Sequence, residues 1–469
     1  MRKAFKMMAA VGLVAAMALP ASAASIDYSG FLRVKGYVSD YSDSNTGTLV
    51  PVKINDRKSF SYVDQRWRGK FAVGDENVKA ITFLELNEKW GDTTTGGRIG
   101  TDGTDQLRAK NVYLWFKIPD TAVDFSVGLQ NVTDAYQGVF FGAADMAGVV
   151  MNAKPAENFG LRLAYFEPQK YYAASTGFTV PQADRGAAAA NSTNLYVAEA
   201  KIAASKAAKV GVNLYFLQDR FNSASVAGST SSLKLYMPGV DFAVDAGAAK
   251  ISGFAFTQFG DRKFLSGAPK TKYFGYAGDL RVDANAGPAK VFVEGLYTSG
   301  RNANKLADNK DGGIRVMDDY RQGSGSSGYV RDDMVILTPE ADAIGTGRNL
   351  AYSQNNLGRG ELLVTAGASA DVTPKMTAKL GLGYMQAAQT EGAVAGLARK
   401  GKGMGTEVNA RLTYNVTKGL DSSLTAAYVF AGDYYKVKNL TTGTTADLNG
   451  FDGKPTNPYA LIAKLNYAY

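Results

Sequence analysis

Residues 59 to 73 read Ser-Phe-Ser-Tyr-Val-Asp-Gln-Arg-Trp-Arg-Gly-Lys-Phe-Ala-Val. Val63, Trp67, Phe71 and Val73 fall on one parity, and Asp64, Arg66, Arg68 and Lys70 on the other. A period of two belongs to a β-strand with one apolar and one wet face. The pattern recurs where Val123, Phe125, Val127 and Leu129 alternate with Asp124, Ser126 and Gln130. It recurs again where Val408, Ala410, Leu412 and Tyr414 alternate with Glu407, Asn409, Arg411 and Thr413. A soluble sandwich would alternate in the same way, so length and connection decide. The strands run roughly 9 to 14 residues, against 5 or 6 in a typical sandwich, and this is close to what a tilted membrane crossing needs.

The connections alternate between short and long. Short turns are expected at 74–77, 119–121, 154–156, 204–207, 247–249, 285–288, 372–374 and 417–420. Long polar stretches lie at 39–58, 168–192, 301–359 and 432–457, among others. Short turns at one end and long loops at the other are the layout of an antiparallel up-and-down barrel crossing an outer membrane. Eight turns and nine loops join eighteen strands, with both termini at the turn end; sixteen is the second choice. Nearly all of the 13 prolines fall in turns or loops, and Pro238 and Pro458 are expected at strand edges, where a missing donor is tolerated. The register of strand ten, near 233–246, stays open.

Of 469 residues, 20% are charged and none is Cys or His. Disulfides, thiolate nucleophiles, c-type haem attachment, imidazole bases and the usual zinc ligands are thereby excluded. No enzyme activity and no cofactor is expected. The net charge of +9 points to a polyanionic partner, but no polybasic tail suggests nucleic acid. Arg2, Lys3 and Lys6 precede an apolar run from Met7 to Leu19, then Pro20 and small residues through Ala23. This reads as a secretory signal peptide, residues 1–23, ahead of a barrel at 24–469 with long external loops including 301–359. The run is too short for a membrane anchor, which needs about 20 apolar residues. Ile26 already begins a strand, so no plug domain is expected.

The final residues, from Pro458 to Tyr469, place Tyr459, Leu461, Leu465, Tyr467 and Tyr469 on one parity and end on an aromatic. Leu465, Tyr467 and Tyr469 resemble the carboxy-terminal signal by which barrels are handed to the outer-membrane assembly machinery. The expected location is the outer membrane of a Gram-negative bacterium, in contact with its lipid. Tyr28, Trp67, Tyr113, Trp115, Tyr467 and Tyr469 are expected outside as interfacial girdle residues, with Trp90 at the outer girdle.

Two stretches carry a family resemblance. Residues 61–91, with Arg66-Trp67-Arg68, a short Gly-Asp-Glu-Asn turn and the run from Phe83 to Gly91, resemble the second and third strands of alginate-export-type porins of Gram-negative bacteria. Residues 107–149, with Val112-Tyr113-Leu114, Pro119 and the Val127 to Asn131 run, are similar to the segment that follows in them. The resemblance implies an eighteen-stranded barrel with a basic lumen for anionic polysaccharide. Only Arg66, Arg68 and Glu85 carry over as functional residues.

Parity also reads the lumen. Arg33, Lys35, Arg66, Arg68, Lys70, Arg108 and Lys110 are expected on one basic inner wall, opposed by Asp64 and Glu85. Two readings stay open: the bases select anions, or base and carboxylate pairs brace the wall. The third external loop, with Asp134, Tyr136, Phe140 and Phe141, is either an inward constriction or a surface loop. Asp318, Asp319, Asp332 and Asp333 offer a weak calcium site within an otherwise solvated loop. The reading is a porin or export channel for hydrophilic, preferentially anionic solutes. The alternative is a structural sheath around a multihaem cytochrome, which would supply the electron path that this chain lacks.

Overall fold

The computed structural model describes residues 25–40, 60–91, 98–100, 103–104, 107–170, 192–221, 231–264, 267–302, 305, 307–320, 334–338, 355–390, 401–435 and 457–469. The signal-peptide reading, residues 1–23, lies outside them. Eighteen long strands follow one another along the chain: β1 (Ser25–Ser39), β2 (Phe60–Gly74), β3 (Val78–Trp90), β4 (Arg108–Lys117), β5 (Val123–Val132), β6 (Ala144–Ala156), β7 (Phe159–Lys170), β8 (Ser192–Ala203) and β9 (Ala208–Phe221). The second half comprises β10 (Ser231–Asp245), β11 (Ala249–Phe264), β12 (Thr271–Ala286), β13 (Ala289–Thr298), β14 (Glu361–Thr373), β15 (Met376–Ala387), β16 (Gly403–Thr417), β17 (Leu420–Ala431) and β18 (Tyr459–Ala468). Each pairs antiparallel with its neighbours in sequence. β18 pairs with β1, from Ala468 opposite Phe31 to Ala460 opposite Ser39, and the sheet closes. Three short strand pieces, Arg98–Gly100, Gly103–Thr104 and Lys310–Asp311, sit in the long connections. Among the described residues no helix is long and apolar enough to cross a membrane.

Alternation sorts the side chains as the period of two requires. Leu380, Leu382 and Tyr384 of β15 are exposed outside, whereas Met385 and Ala387 are buried inside. Val408, Leu412 and Tyr414 of β16 are likewise outside, and Glu407 is inside and fully buried. So much exposed apolar surface around a closed barrel is a lipid-facing belt.

The short turns fall where Gly, Pro and Asn interrupt the alternation. Gly247 and Gly419 take φ values of 81° and 77°, which residues with a Cβ adopt only under strain. One turn differs from expectation: 154–156 remains in strand, and only two residues, Glu157 and Asn158, separate the end of β6 at Ala156 from Phe159, which opens β7. Strand ten is intact and paired on both sides, which fixes eighteen strands. Pro238 lies in its middle and not at an edge, opposite Leu214 of β9. On the β11 side the pairing passes from Tyr236 opposite Phe259 to Gly239 opposite Phe256 with no shift in register. The ladder is interrupted only at Met237 and Pro238, where Pro has no N–H to donate.

A second difference concerns β4. Opposite β3, Asn111 pairs with Phe83 but Ala109 pairs with Leu84, so Lys110 is the extra residue of a β-bulge. The bulge reverses parity below it. Tyr113 stands opposite Ile81 and Gly128, and Trp115 opposite Lys79 and Ser126, all on the inner face. Tyr113 and Trp115 are therefore lumen residues and not girdle residues; exposed Val112 takes the outer position.

Trp90 ends β3, exposed on the loop side, and the other girdle residues, Tyr28, Trp67, Tyr467 and Tyr469, meet at the closing seam. Tyr469 exchanges backbone hydrogen bonds with Gly30, at 3.0 and 3.1 Å. Its hydroxyl lies 2.7 Å from the Tyr28 hydroxyl and accepts a hydrogen bond from Trp67 Nε1, also at 2.7 Å. The last residue of the chain thus ties β1 and β2 together from outside.

Candidate functional site

The inner faces of β1 to β3 bring together most of the expected basic wall. Arg33 stands opposite Arg66 and Lys35 opposite Asp64. Arg33 Nη2 donates to Asp64 Oδ1 at 3.1 Å, Arg66 Nε to Asn87 Oδ1 at 2.6 Å, and Arg68 Nε to Glu85 Oε2 at 2.6 Å. Asn87 in turn donates to the other oxygen of Glu85 at 2.6 Å. The Arg68 guanidinium lies 5.8 Å from the Phe31 ring and 5.9 Å from the Phe83 ring, so cation–π attraction adds to the ion pair. Arg33, Lys35, Arg66, Asp64 and Glu85 are all buried. Four bases and two carboxylates form this cluster.

The other expected bases stand apart from it. Lys110 is turned by the bulge toward Asp145, which its ammonium meets at 2.5 Å, and Asn111 and Asn131 donate to the same carboxylate. Beside these, Lys79, near the turn end of the same inner face, pairs with Asp27 at 2.8 Å. Lys70 and Arg108 are exposed, and among the described residues neither makes an ion pair or hydrogen bond. Lys70 faces inward opposite Ser29 and Phe83, and Arg108 opposite Glu85. Among the described residues the wall therefore holds a braced, buried cluster beside two cations without a partner. Further round the barrel the inner face is mixed. Arg162 faces Glu199 at 3.4 Å, and Arg281 bonds both Asp283 and Glu294.

The third loop, 133–143, folds into the barrel. Tyr136, Phe140 and Phe141 are fully buried. Tyr136 stacks on Phe256 at 4.5 Å between ring centroids and lies beside Tyr215 and Phe254, all inward-facing residues of β9 and β11. Asp134 organises the loop. One carboxylate oxygen accepts the backbone N–H groups of Tyr136 and Gly138, at 2.8 and 2.7 Å, and the other those of Phe140 and Phe141, both at 2.7 Å. Burial pushes the Asp134 carboxyl up to about 6, against the opposing pull of these four donors. Burial and the neighbouring carboxylates of Asp134 and Glu199 raise the Tyr136 phenol well above its ordinary range. Gln137 and Ala143 sit at φ values of 57° and 47°, a conformation held by the bonding around them.

A second inward segment comes from the long seventh loop, between β13 and β14. Met334, Val335, Ile336 and Leu337 are buried, and Glu407 of β16 accepts the backbone N–H groups of Val335, Ile336 and Leu337 at 2.8, 3.0 and 2.8 Å. Gln258 of β11 clasps Arg315 from both sides: its amide donates to the Arg315 carbonyl at 2.8 Å, and its oxygen accepts the Arg315 N–H at 2.7 Å. Met317 N–H donates to the Phe140 carbonyl at 2.9 Å, joining the seventh loop to the third. Sequence reading passed over this segment. The apolar run Met334-Val335-Ile336-Leu337, in an otherwise polar loop, was the available signal. Asp319 is engaged by Val316 N–H and by Asn355, so it braces the loop. The Asp318 side chain, Asp332 and Asp333 lie outside the described residues, and among those described no group of three or more carboxylates is gathered for a metal.

Solved structures with this architecture include Pseudomonas aeruginosa OccK3 (OpdO), at 12% identity and a TM-score of 0.50, covering 94% of this chain and 96% of that one. OccK1 (OpdK) of the same organism gives 12% identity and a TM-score of 0.50, covering 94% and 99%. OccD1 (OprD), also from that organism, gives 12% identity and a TM-score of 0.51, covering 94% and 95%. At such identity the likeness is one of fold. No curated protein matches the chain. A family model described as "Porin subfamily" matches residues 199–453, more than half of the sequence. That match falls beyond the segment 61–149 that resembles alginate-export porins.

Proposed function

The chain belongs to the Porin subfamily and is an integral barrel of the Gram-negative outer membrane, and on that premise we propose that it passes small hydrophilic solutes with a preference for anions. The single observation that carries the preference is the charge on the inner face of β1 to β4. There Arg33, Lys35, Arg66 and Arg68 outnumber Asp64 and Glu85, and exposed Lys70 and Arg108 add positive charge. At a separation of about 4 Å a base attracts an anion by about 4 kcal/mol at an effective dielectric near 20, and by about 1 in bulk water. Screening over about 8 Å weakens this further, so a wet pore gains preference and not tight binding. The third and seventh loops pack on the inner faces of β9, β11 and β16, and this supports the reading of the basic side as the charged border of the passage.

The resemblance over 61–149 makes anionic polysaccharide a candidate solute, and the loops packed inside favour small ones. A sheath for a cytochrome would need an inner surface open to a second chain, whereas the inner faces of β9, β11 and β16 are covered by this chain's own loops. Passive permeation asks no catalytic chemistry of the lumen. The test is planar-bilayer conductance of the refolded protein, with the reversal potential measured in a potassium chloride gradient. A potential of the sign set by chloride supports the proposal; zero or the potassium sign overturns it.

A further inference from the structure

The outer surface near the loop ends of β9 to β12 carries an arrangement that permeation does not use. Phe216 stands opposite Tyr236, Tyr236 opposite Phe259, and Phe259 opposite Phe274, in one outward row. The first two pairs stack at 4.8 and 5.7 Å between ring centroids. Such a row marks the boundary between hydrocarbon and headgroups. Two residues nearer the loops, Lys234 stands opposite Asp261 and Asp261 opposite Lys272. Four residues nearer, Arg220 stands opposite Ser232 and Ser232 opposite Lys263. At about 3.4 Å per residue these rows lie about 7 and 14 Å along the strands from the aromatics, somewhat less after tilt, at the depth of headgroups.

A groove of about 320 Å³ opens there, lined by Gln218, Arg220, Ser232, Lys234, Asp261 and Lys263. Arg220, Lys234, Lys263 and Lys272 are exposed, and among the described residues none has an ion-pair or hydrogen-bond partner. Asp261 is the one carboxylate in the two rows, and Lys270 faces it at 3.4 Å. The sequences at 222–230 and 265–270 contain no Asp or Glu, so the adjoining loops add no countercharge. Below the aromatic row the surface is apolar, with Leu214, Val240 and Tyr276 exposed. Cations above, aromatics at the boundary and apolar surface below match an amphiphile whose phosphates sit uppermost.

We propose that this groove binds the phosphorylated headgroup of an outer-leaflet glycolipid, with Arg220, Lys234, Lys263 and Lys272 on the phosphates and the acyl chains against the wall beneath. Arg220 supplies the planar fork suited to a phosphate, and the lysines act as point charges. The experiment is native mass spectrometry of the refolded full barrel in detergent with three probes: bisphosphorylated lipid A, the same lipid dephosphorylated, and inorganic phosphate. The bisphosphorylated lipid is expected to bind at least tenfold more tightly than its dephosphorylated form, and equimolar phosphate is expected not to displace it. The combined Arg220→Gln, Lys234→Gln, Lys263→Gln and Lys272→Gln variant should lose that preference, and Lys70→Gln, inside the lumen, should keep it. Equal binding of the two lipids by the wild-type protein overturns the proposal, and this comparison needs no variant to fold. An unchanged preference in the quadruple variant overturns it as well, and displacement by equimolar phosphate overturns the lipid assignment.

Discussion

Val63, Phe71, Val127 and Leu412 face outward and Ser126 inward, as the paired registers of β2, β5 and β16 show. Arg placed at one of the four near the bilayer midplane should cost about 2 to 4 kcal/mol, because lipid offers the charge no solvent. Arg at Ser126 should be nearly silent in urea unfolding from vesicles. Equal losses on both faces would contradict the assigned phase. Asp134 allows a prediction in pH. Its carboxyl, lifted to about 6 by burial, titrates near 3.9 in an unfolded chain. Between those values the folded state holds a proton that the unfolded state has released. The group's contribution to stability is therefore complete below about 4 and is lost as pH rises through about 6. Relative to Asp134→Asn, whose amide does not titrate there, the wild-type protein should lose on the order of 2 to 3 kcal/mol between pH 4 and pH 7. A pH-independent difference in unfolding free energy between the two would refute this.

At the scale of elements, most strands were legible because each carries its own period-two signal and the turns carry Gly, Pro or Asn. Parity failed where geometry is not local. The extra residue at Lys110 is visible only as a mismatch with β3, so Tyr113 and Trp115 were placed on the wrong face while Arg108, above the bulge, was not. Pro238 was expected at an edge because a proline within a strand forfeits a donor; a barrel wide enough to spare one ladder bond accepts it in mid-strand. The seam gives this scale its own prediction. Tyr469 contributes two backbone bonds to Gly30 and, through its hydroxyl, contacts with Tyr28 and Trp67, all joining β18 to the first two strands. Deleting Tyr469 should lower the yield of heat-modifiable, compact barrel in outer membranes while export to the periplasm continues. Tyr469→Phe, which keeps the backbone bonds and the ring, should restore most of that yield. Full yield from the truncated protein would separate the terminal aromatic from assembly.

For the whole molecule, the strand count follows from sequence but the state of the lumen does not. Whether a base on the inner wall meets water depends on which loops fold in and on partners several strands away. Asp145, which removes Lys110 from the wall, lies on β6, and the third loop is fixed by the four donors around Asp134. The structure accordingly divides the basic residues into two kinds, and the division can be tested. Arg66 and Arg68 are held by Asn87 and Glu85, so replacing both with Gln should weaken the β2–β3 contact and lower thermal stability, leaving Glu85 without its cation. Among the described residues Lys70 and Arg108 hold no partner, so Lys70→Gln with Arg108→Gln should change stability by no more than about 1 kcal/mol. If free charge sets the field that a passing ion meets, this second pair should move the reversal potential toward potassium while the first leaves it nearly in place. A shift confined to the Arg66 and Arg68 variant would instead locate the selecting field in the buried cluster, because a charge shielded from water is screened least.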